Sequence, residues 1–131
     1  MHDALFQPLT VGSIQVPNRI FMAPLTRARS TMPGSVPNDM MAEYYRQRAG
    51  AGLIIAEATP VSLRGHGYYG APGVHSDEQE AGWKRVTDAV HEGGGRIVLQ
   101  LWHVGRVSHY KMQPGNQPPV SSTDVPSGSQ T

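Results

Sequence analysis

The sequence predicts an α/β fold whose strands run parallel. Three apolar runs, at residues 20–23, 53–58 and 97–102, are short and nearly continuous, as strands covered on both faces are. The segments between them carry helical periodicity, and the strand starts at Ile20, Leu53 and Ile97 are about as far apart as βα units require. The order strand–helix–strand–helix–strand then implies right-handed crossovers.

Ahead of the first run, Leu9 to Val11 and Ile14 to Val16 flank Gly12-Ser13, a Gly-X pair suited to a type II′ hairpin turn. Pro17-Asn18 closes this hairpin at 9–17, and Ile20-Phe21-Met22-Ala23 is the first buried strand. Asn38 is placed to cap a helix over 39–48 with Met41, Tyr45 and Ala49 on one face. Gly50-Ala51-Gly52 stops it before the second buried strand, Leu53-Ile54-Ile55-Ala56-Glu57-Ala58. Ser76 and Gln79 have capping-box spacing ahead of a helix with Trp83, Val86 and Val90 on one face. Gly93-Gly94-Gly95 ends that helix, Ile97 to Trp102 is the third strand, and a loop or tail occupies 107–131. Crossovers of one hand put both helices on one face of the sheet. The other face and both edges need another element, so residues 1–131 read as part of one larger domain.

Composition narrows the function classes. With 131 residues, a net charge of +1 and no lysine-arginine cluster, nothing favours a nucleic-acid partner. The absence of cysteine removes disulfides, thiolate catalysis and cysteine-based metal sites. No signal peptide is visible and no apolar stretch is long enough to span a bilayer, so a soluble cytoplasmic protein is expected. His66 and His75 lie too far apart for helical ligand spacing, and His103 and His109 sit in a loop without nearby carboxylates. No metal is expected; these imidazoles read as solvated or backbone-bonded. Arg27, Arg29, Arg46 and Arg48 read as a solvated face or ion pairs rather than a phosphate clamp.

The run Val98-Leu99-Gln100-Leu101-Trp102-His103-Val104-Gly105-Arg106 carries the chemistry. Gln100 and Trp102, two apart on a strand, point to the same face. An amide beside a flat apolar wall suits a planar heteroaromatic ligand with ring carbonyls and N–H groups. A glutamine at the buried end of an apolar strand must be hydrogen-bonded or cost about 1–3 kcal/mol.

Several stretches together resemble one family. They are Leu5-Phe6-Gln7-Pro8-Leu9, Asn18-Arg19-Ile20, Ala23-Pro24-Leu25-Thr26-Arg27, Glu57-Ala58, Gly67-Tyr68, Gly70-Ala71-Pro72-Gly73 and Gln100-Leu101-Trp102-His103-x-Gly105-Arg106. In this order they resemble the amino-terminal part of the Old Yellow Enzyme family, FMN-dependent ene-reductases built on a (β/α)₈ barrel. The resemblance implies that this chain supplies a floor hairpin, the first three barrel strands and two helices. It implies hydride transfer from NADPH or NADH to FMN, then to the β-carbon of an enone, enal, maleimide or nitro compound.

For the cofactor, the resemblance implies that Pro24, Leu25, Thr26, Ala58 and Gln100 line the flavin. The Thr26 hydroxyl would donate to the flavin C4 carbonyl, raising the reduction potential as charge builds there. Substrate-side residues would be Thr26, Tyr68 and Trp102, with Tyr69 competing with Tyr68 for the role. Plainer readings stand beside these: Thr26 satisfying a local turn, Ala58 filling space under a helix, Gln100 bonded to backbone, and two surface tyrosines. No catalytic residue is assigned, because the family's His-x-x-His or His-x-x-Asn pair and its proton-donating tyrosine would lie beyond Thr131. The implied partner is a complementary carboxy-terminal barrel chain or a swapped copy, contacted by the strands holding Ile20 and Ile97. The alternative is a non-catalytic assembly module.

Overall fold

A computed structural model describes residues 3–128. After a 3₁₀ turn at Asp3–Phe6, β1 (Leu9–Val11) and β2 (Ile14–Val16) form an antiparallel hairpin. Gly12 takes φ of +59° at its turn, the value a type II′ turn asks of its first central residue. β3 (Phe21–Met22), β4 (Leu53–Pro60) and β5 (Ile97–Trp102) form a parallel sheet in the order β3-β4-β5, joined through α1 (Asp39–Arg46) and α2 (Asp77–Glu92).

The caps act where their residue types place them. Asn38 Oδ1 accepts from the Met41 amide, and Ser76 and Gln79 close a reciprocal capping box on α2. α1 ends at Arg46 rather than at the expected Arg48. The Arg48 and Ala49 amides bond to the carbonyls of Tyr45 and Arg46, three residues back, so the last turn tightens instead of continuing. Ala49 therefore still reaches the core. The first strand is Phe21–Met22: Pro24 offers no amide to continue it, and at its start the Gly52 amide donates to the Ile20 carbonyl. A Cβ at Gly52 would strike the Asn18 carbonyl, so this approach requires glycine.

One core lies between sheet and helices: Met41, Tyr45, Ala49, Ile54, Ala56, Trp83, Val86 and Val90, with Met22, Ile97 and Leu99 against it. The pleat then turns Phe21, Val98 and Gln100 to the opposite face. That face has no layer over it among the described residues. The expectation of a buried third strand is corrected here: Gln100 and Leu101 are exposed, Leu101 by 65 %. β5 pairs only with β4, and nothing among the described residues covers its outer face or edge. Gln100 therefore bears no burial penalty in this chain. Ile97 packs on the helical core, whereas Ile20 at the open edge of β3 is 45 % exposed.

The ladder between β4 and β5 slips once. Ile54 and Ile55 sit opposite Ile97 and Val98, but Ala58 sits opposite Gln100, so Ala56 and Glu57 share Leu99 as partner. This bulge lets two successive side chains face the helices and returns Ala58 to the face of Gln100.

Helix α2 crosses the end of the loop before α1 at Gly82, where a Cβ would lie 2.6 Å from the Pro37 carbonyl. Gly82→Ala should therefore destabilise the fold by about 1–3 kcal/mol in urea denaturation through overpacking. An exposed helix interior would instead gain up to about 1 kcal/mol from the same change.

Candidate functional site

The sequence-derived candidates gather at the carboxyl ends of three neighbouring strands, where open α/β sheets and barrels bind ligands. Pro24, Leu25 and Thr26 follow β3 directly; Pro24 is half-buried, Leu25 and Thr26 are exposed. On central β4, Ala58 is buried and in register with Gln100 of β5. Among the described residues neither the Thr26 hydroxyl nor the Gln100 amide has a hydrogen-bond partner. Neither is thus spent on a local turn or on backbone. Ala58 lies outside the helical core cluster, so it does not fill space under a helix.

Two residues past Gln100, the Trp102 ring stacks on Tyr68 with centroids 5.5 Å apart and planes 21° from parallel. Tyr69 points outward and is 72 % exposed. Tyr68 comes from the Gly-rich segment after β4, which is anchored on both sides. The His66 carbonyl accepts from Ser108 Oγ at 2.8 Å and Gln113 Nε2 at 3.0 Å, and the Gly70 carbonyl accepts from Ser30.

The arginines behave as a surface set. Arg46 pairs with Glu43 at 2.7 Å, and the Arg48 guanidinium lies 3.8 Å from the Tyr44 ring centre. The histidines divide. His103 and His109 accept backbone amides from Gly105 and Lys111, as solvated or backbone-bonded imidazoles should. His66 and His75 correct the sequence reading, because their Nε2 atoms lie 3.0 Å apart. Nine residues of separation in a loop leave no periodic signal, so only the fold brings them together.

Sequence reasoning also missed Glu57, although a carboxylate inside an apolar run was a visible signal. The bulge turns it into the core, where it is fully buried. Its Oε1 accepts from Tyr45 Oη at 3.1 Å, and its Oε2 accepts from the Arg27 amide at 3.0 Å and the Ala28 amide at 3.4 Å. The Glu57 amide donates back to Tyr45 Oη at 2.9 Å. Burial pushes the Glu57 carboxyl above its ordinary range against the pull of these donors. Burial, then the neighbouring carboxylate, raises Tyr45 as well.

Comparison with known proteins gives a consistent answer. The family model described as NADH:flavin oxidoreductase / NADH oxidase matches residues 4–130. Among curated proteins, the flavin oxidoreductase hxnT of Emericella nidulans is 44 % identical over 95 % of this chain, which spans 33 % of its length. 12-Oxophytodienoate reductase 7 of Oryza sativa is 46 % identical over 93 % of the chain and 31 % of its own length. Among solved structures, morphinone reductase superposes with a TM-score of 0.92 at 55 % identity, over 95 % of this chain and 33 % of that one. The Old Yellow Enzyme homologue from Zymomonas mobilis gives 0.87 at 48 % identity, over 93 % and 34 %. The chain thus spans about a third of the length of the relatives it matches, and its hairpin, three strands and two helices are the first third of a (β/α)₈ barrel.

Two predictions follow from Glu57. Glu57→Ala leaves the Arg27 and Ala28 amides and the Tyr45 hydroxyl without their acceptor, and should cost at least about 1–3 kcal/mol in urea unfolding. Because the folded-state pKa is raised, the Glu57 contribution is fully present below the unfolded value of about 4.3 and lost as pH rises through the folded one. The stability of Glu57→Gln relative to the parent should therefore improve from pH 4 to pH 7. A difference that moves the other way would show that the carboxylate form is the stabilised one.

Proposed function

The chain belongs to the NADH:flavin oxidoreductase / NADH oxidase family, and on that premise we propose that residues 1–131 are the amino-terminal part of an FMN-dependent ene-reductase. The observation that carries this reading is the convergence at one sheet end of the Pro24–Thr26 segment, Ala58 and Gln100, with the Tyr68–Trp102 stack beside them. A planar cofactor fits these residues: among the described residues the Gln100 amide and the Thr26 hydroxyl have no hydrogen-bond partner, and Ala58, in register with Gln100, presents only a methyl group.

FMN held there supplies hydride transfer from NADH or NADPH to the β-carbon of an enone, enal, maleimide or nitro compound. Gln100 serves as an amide donor and acceptor for a heteroaromatic edge. Ala58 would let that ring approach β4, and Pro24 and Leu25 would wall it from β3. The Thr26 hydroxyl would donate to a ring carbonyl, a bond that strengthens as negative charge develops there. Tyr68 and Trp102 give the substrate an aromatic wall. The groups that polarise the substrate oxygen and protonate its carbon come from another part of the barrel. A complementary carboxy-terminal polypeptide or a swapped copy would cover the Gln100 face and the outer edges of β3 and β5, both exposed in this chain.

Colour tests the reading. The protein, assembled with the complementary polypeptide, should show a flavin absorption band that bleaches with a reduced nicotinamide; an assembly that stays colourless with added FMN would overturn it. In that assembly Thr26→Ala should lower the flavin potential by roughly 30 mV, the two-electron equivalent of about 1.4 kcal/mol. An unchanged potential would remove Thr26 from the flavin contacts.

A further inference from the structure

The His66–His75 pair lines a cavity of about 330 Å³ together with Tyr68, Tyr69, Met32 and Lys111. The ring centroids are 5.2 Å apart with planes at 88°, for nitrogens 3.0 Å apart. The centroid separation exceeds the nitrogen separation by about two ring radii, so nitrogen points at nitrogen. That is an N–H···N hydrogen bond; two ligands of one metal would converge on a third point instead.

Gln79 determines which ring donates. Its Oε1 accepts from the His75 amide at 2.7 Å and the Ser76 amide at 3.2 Å, which fixes the side-chain amide without choice of flip. Its Nε2 therefore donates, to the Gly34 carbonyl at 2.8 Å and toward His75 Nε2 at 3.5 Å. A proton on His75 Nε2 would face this donor. This arrangement favours His75 Nε2 as the acceptor, with its own proton on Nδ1 and the pair's proton on His66 Nε2.

The chain of bonds joins the segments after all three strands: Gly34 after β3, His66 and His75 after β4, and Ser108 and Gln113, which hold the His66 carbonyl, after β5. We propose that His75 and Gln79 are positioning residues: they hold His66 as a hydrogen-bond donor and so keep Tyr68, two residues on, stacked against Trp102. The consequence for substrate rests on the reading of Tyr68 and Trp102 as the substrate side; the polarity of the hydrogen bonds does not.

Acid opposes this arrangement. A proton on His75 Nε2 removes the acceptor, so the His66 Nε2–H loses its partner. Tyr68, Tyr69 and Lys111 are the other titratable groups lining the cavity, and none is a carboxylate that would offset the charge. Burial first, then His75, lowers His66, so its contribution to stability is present above the unfolded value of about 6.5 and lost as pH falls.

Nitrogen-resolved NMR of the chain, with its histidines labelled, tests the polarity directly: His75 should carry its proton on Nδ1 and His66 on Nε2. In the parent, Tyr68 ring signals should be shifted upfield by the Trp102 indole at neutral pH and move toward solvent values as the pH falls and the His66–His75 hydrogen bond is lost. His75→Gln keeps an acceptor that does not titrate, so the shift should persist at all pH values. His75→Leu should lose it even at neutral pH. In a flavin-loaded assembly His75→Leu should raise KM for the alkene about tenfold with little change in kcat, as loss of uniform binding does. A proton on His75 Nε2, or Tyr68 shifts in His75→Leu equal to those of the parent, would overturn the proposal. A colourless assembly with the expected NMR result would sink the flavin reading and leave the positioning role standing.

Discussion

The buried carboxylate of Glu57 is the contact on which the other features depend. It joins three segments that no apolar residue could join: β4, which carries it, α1 through Tyr45, and the segment after β3 through the Arg27 and Ala28 amides. Those amides follow Thr26 directly, so the geometry of the Pro24–Thr26 segment is set from inside the core. A buried charge is expensive, and replacing such networks with apolar residues is often neutral or stabilising elsewhere. Here the acceptor cannot be dropped alone, because the part-buried Arg27 and Ala28 amides and the buried Tyr45 hydroxyl would lose their partner. The network exists only because the bulge at Ala56 and Glu57 breaks the strand's alternation. The same break returns Ala58 to the face of Gln100. One irregularity thus orders both the interior and the candidate cofactor face.

The sheet is finished on one side only. α1 and α2 bury Met22, Ile54, Ala56, Ile97 and Leu99, and leave the face of Gln100 to solvent among the described residues. Such a face suits a ligand and further strands, since parallel sheets are stable when both faces are covered. The segments following the strands are nevertheless tied to one another. Gln79 reaches Gly34, His75 reaches His66, and Ser108 and Gln113 reach the His66 carbonyl. The rim that presents Tyr68 is therefore anchored from this chain's own residues.

Local chemistry was legible in the sequence wherever neighbours in sequence are neighbours in space. Asn38 and the Ser76–Gln79 pair cap helices because a side-chain oxygen two or three residues from an amide has nowhere better to bond. The apolar spacing of Met41, Tyr45 and Ala49, and of Trp83, Val86 and Val90, set the buried stripes. Proximity of Gln100 and Trp102, and the motif run around them, pointed to the flavoprotein family that the comparisons show. Tertiary structure alone decided the rest. The bulge depends on how β4 meets β5, so period-two reasoning could not place Glu57 inside or Ala58 beside Gln100. Tyr68, rather than Tyr69, meets Trp102 because the carbonyls of His66 and Gly70 are held by other segments. His66 finds His75 across a loop that carries no periodicity. A sequence fixes which faces and caps a segment offers, through bonds along the chain; which partners those faces meet is settled by contacts between segments far apart in it.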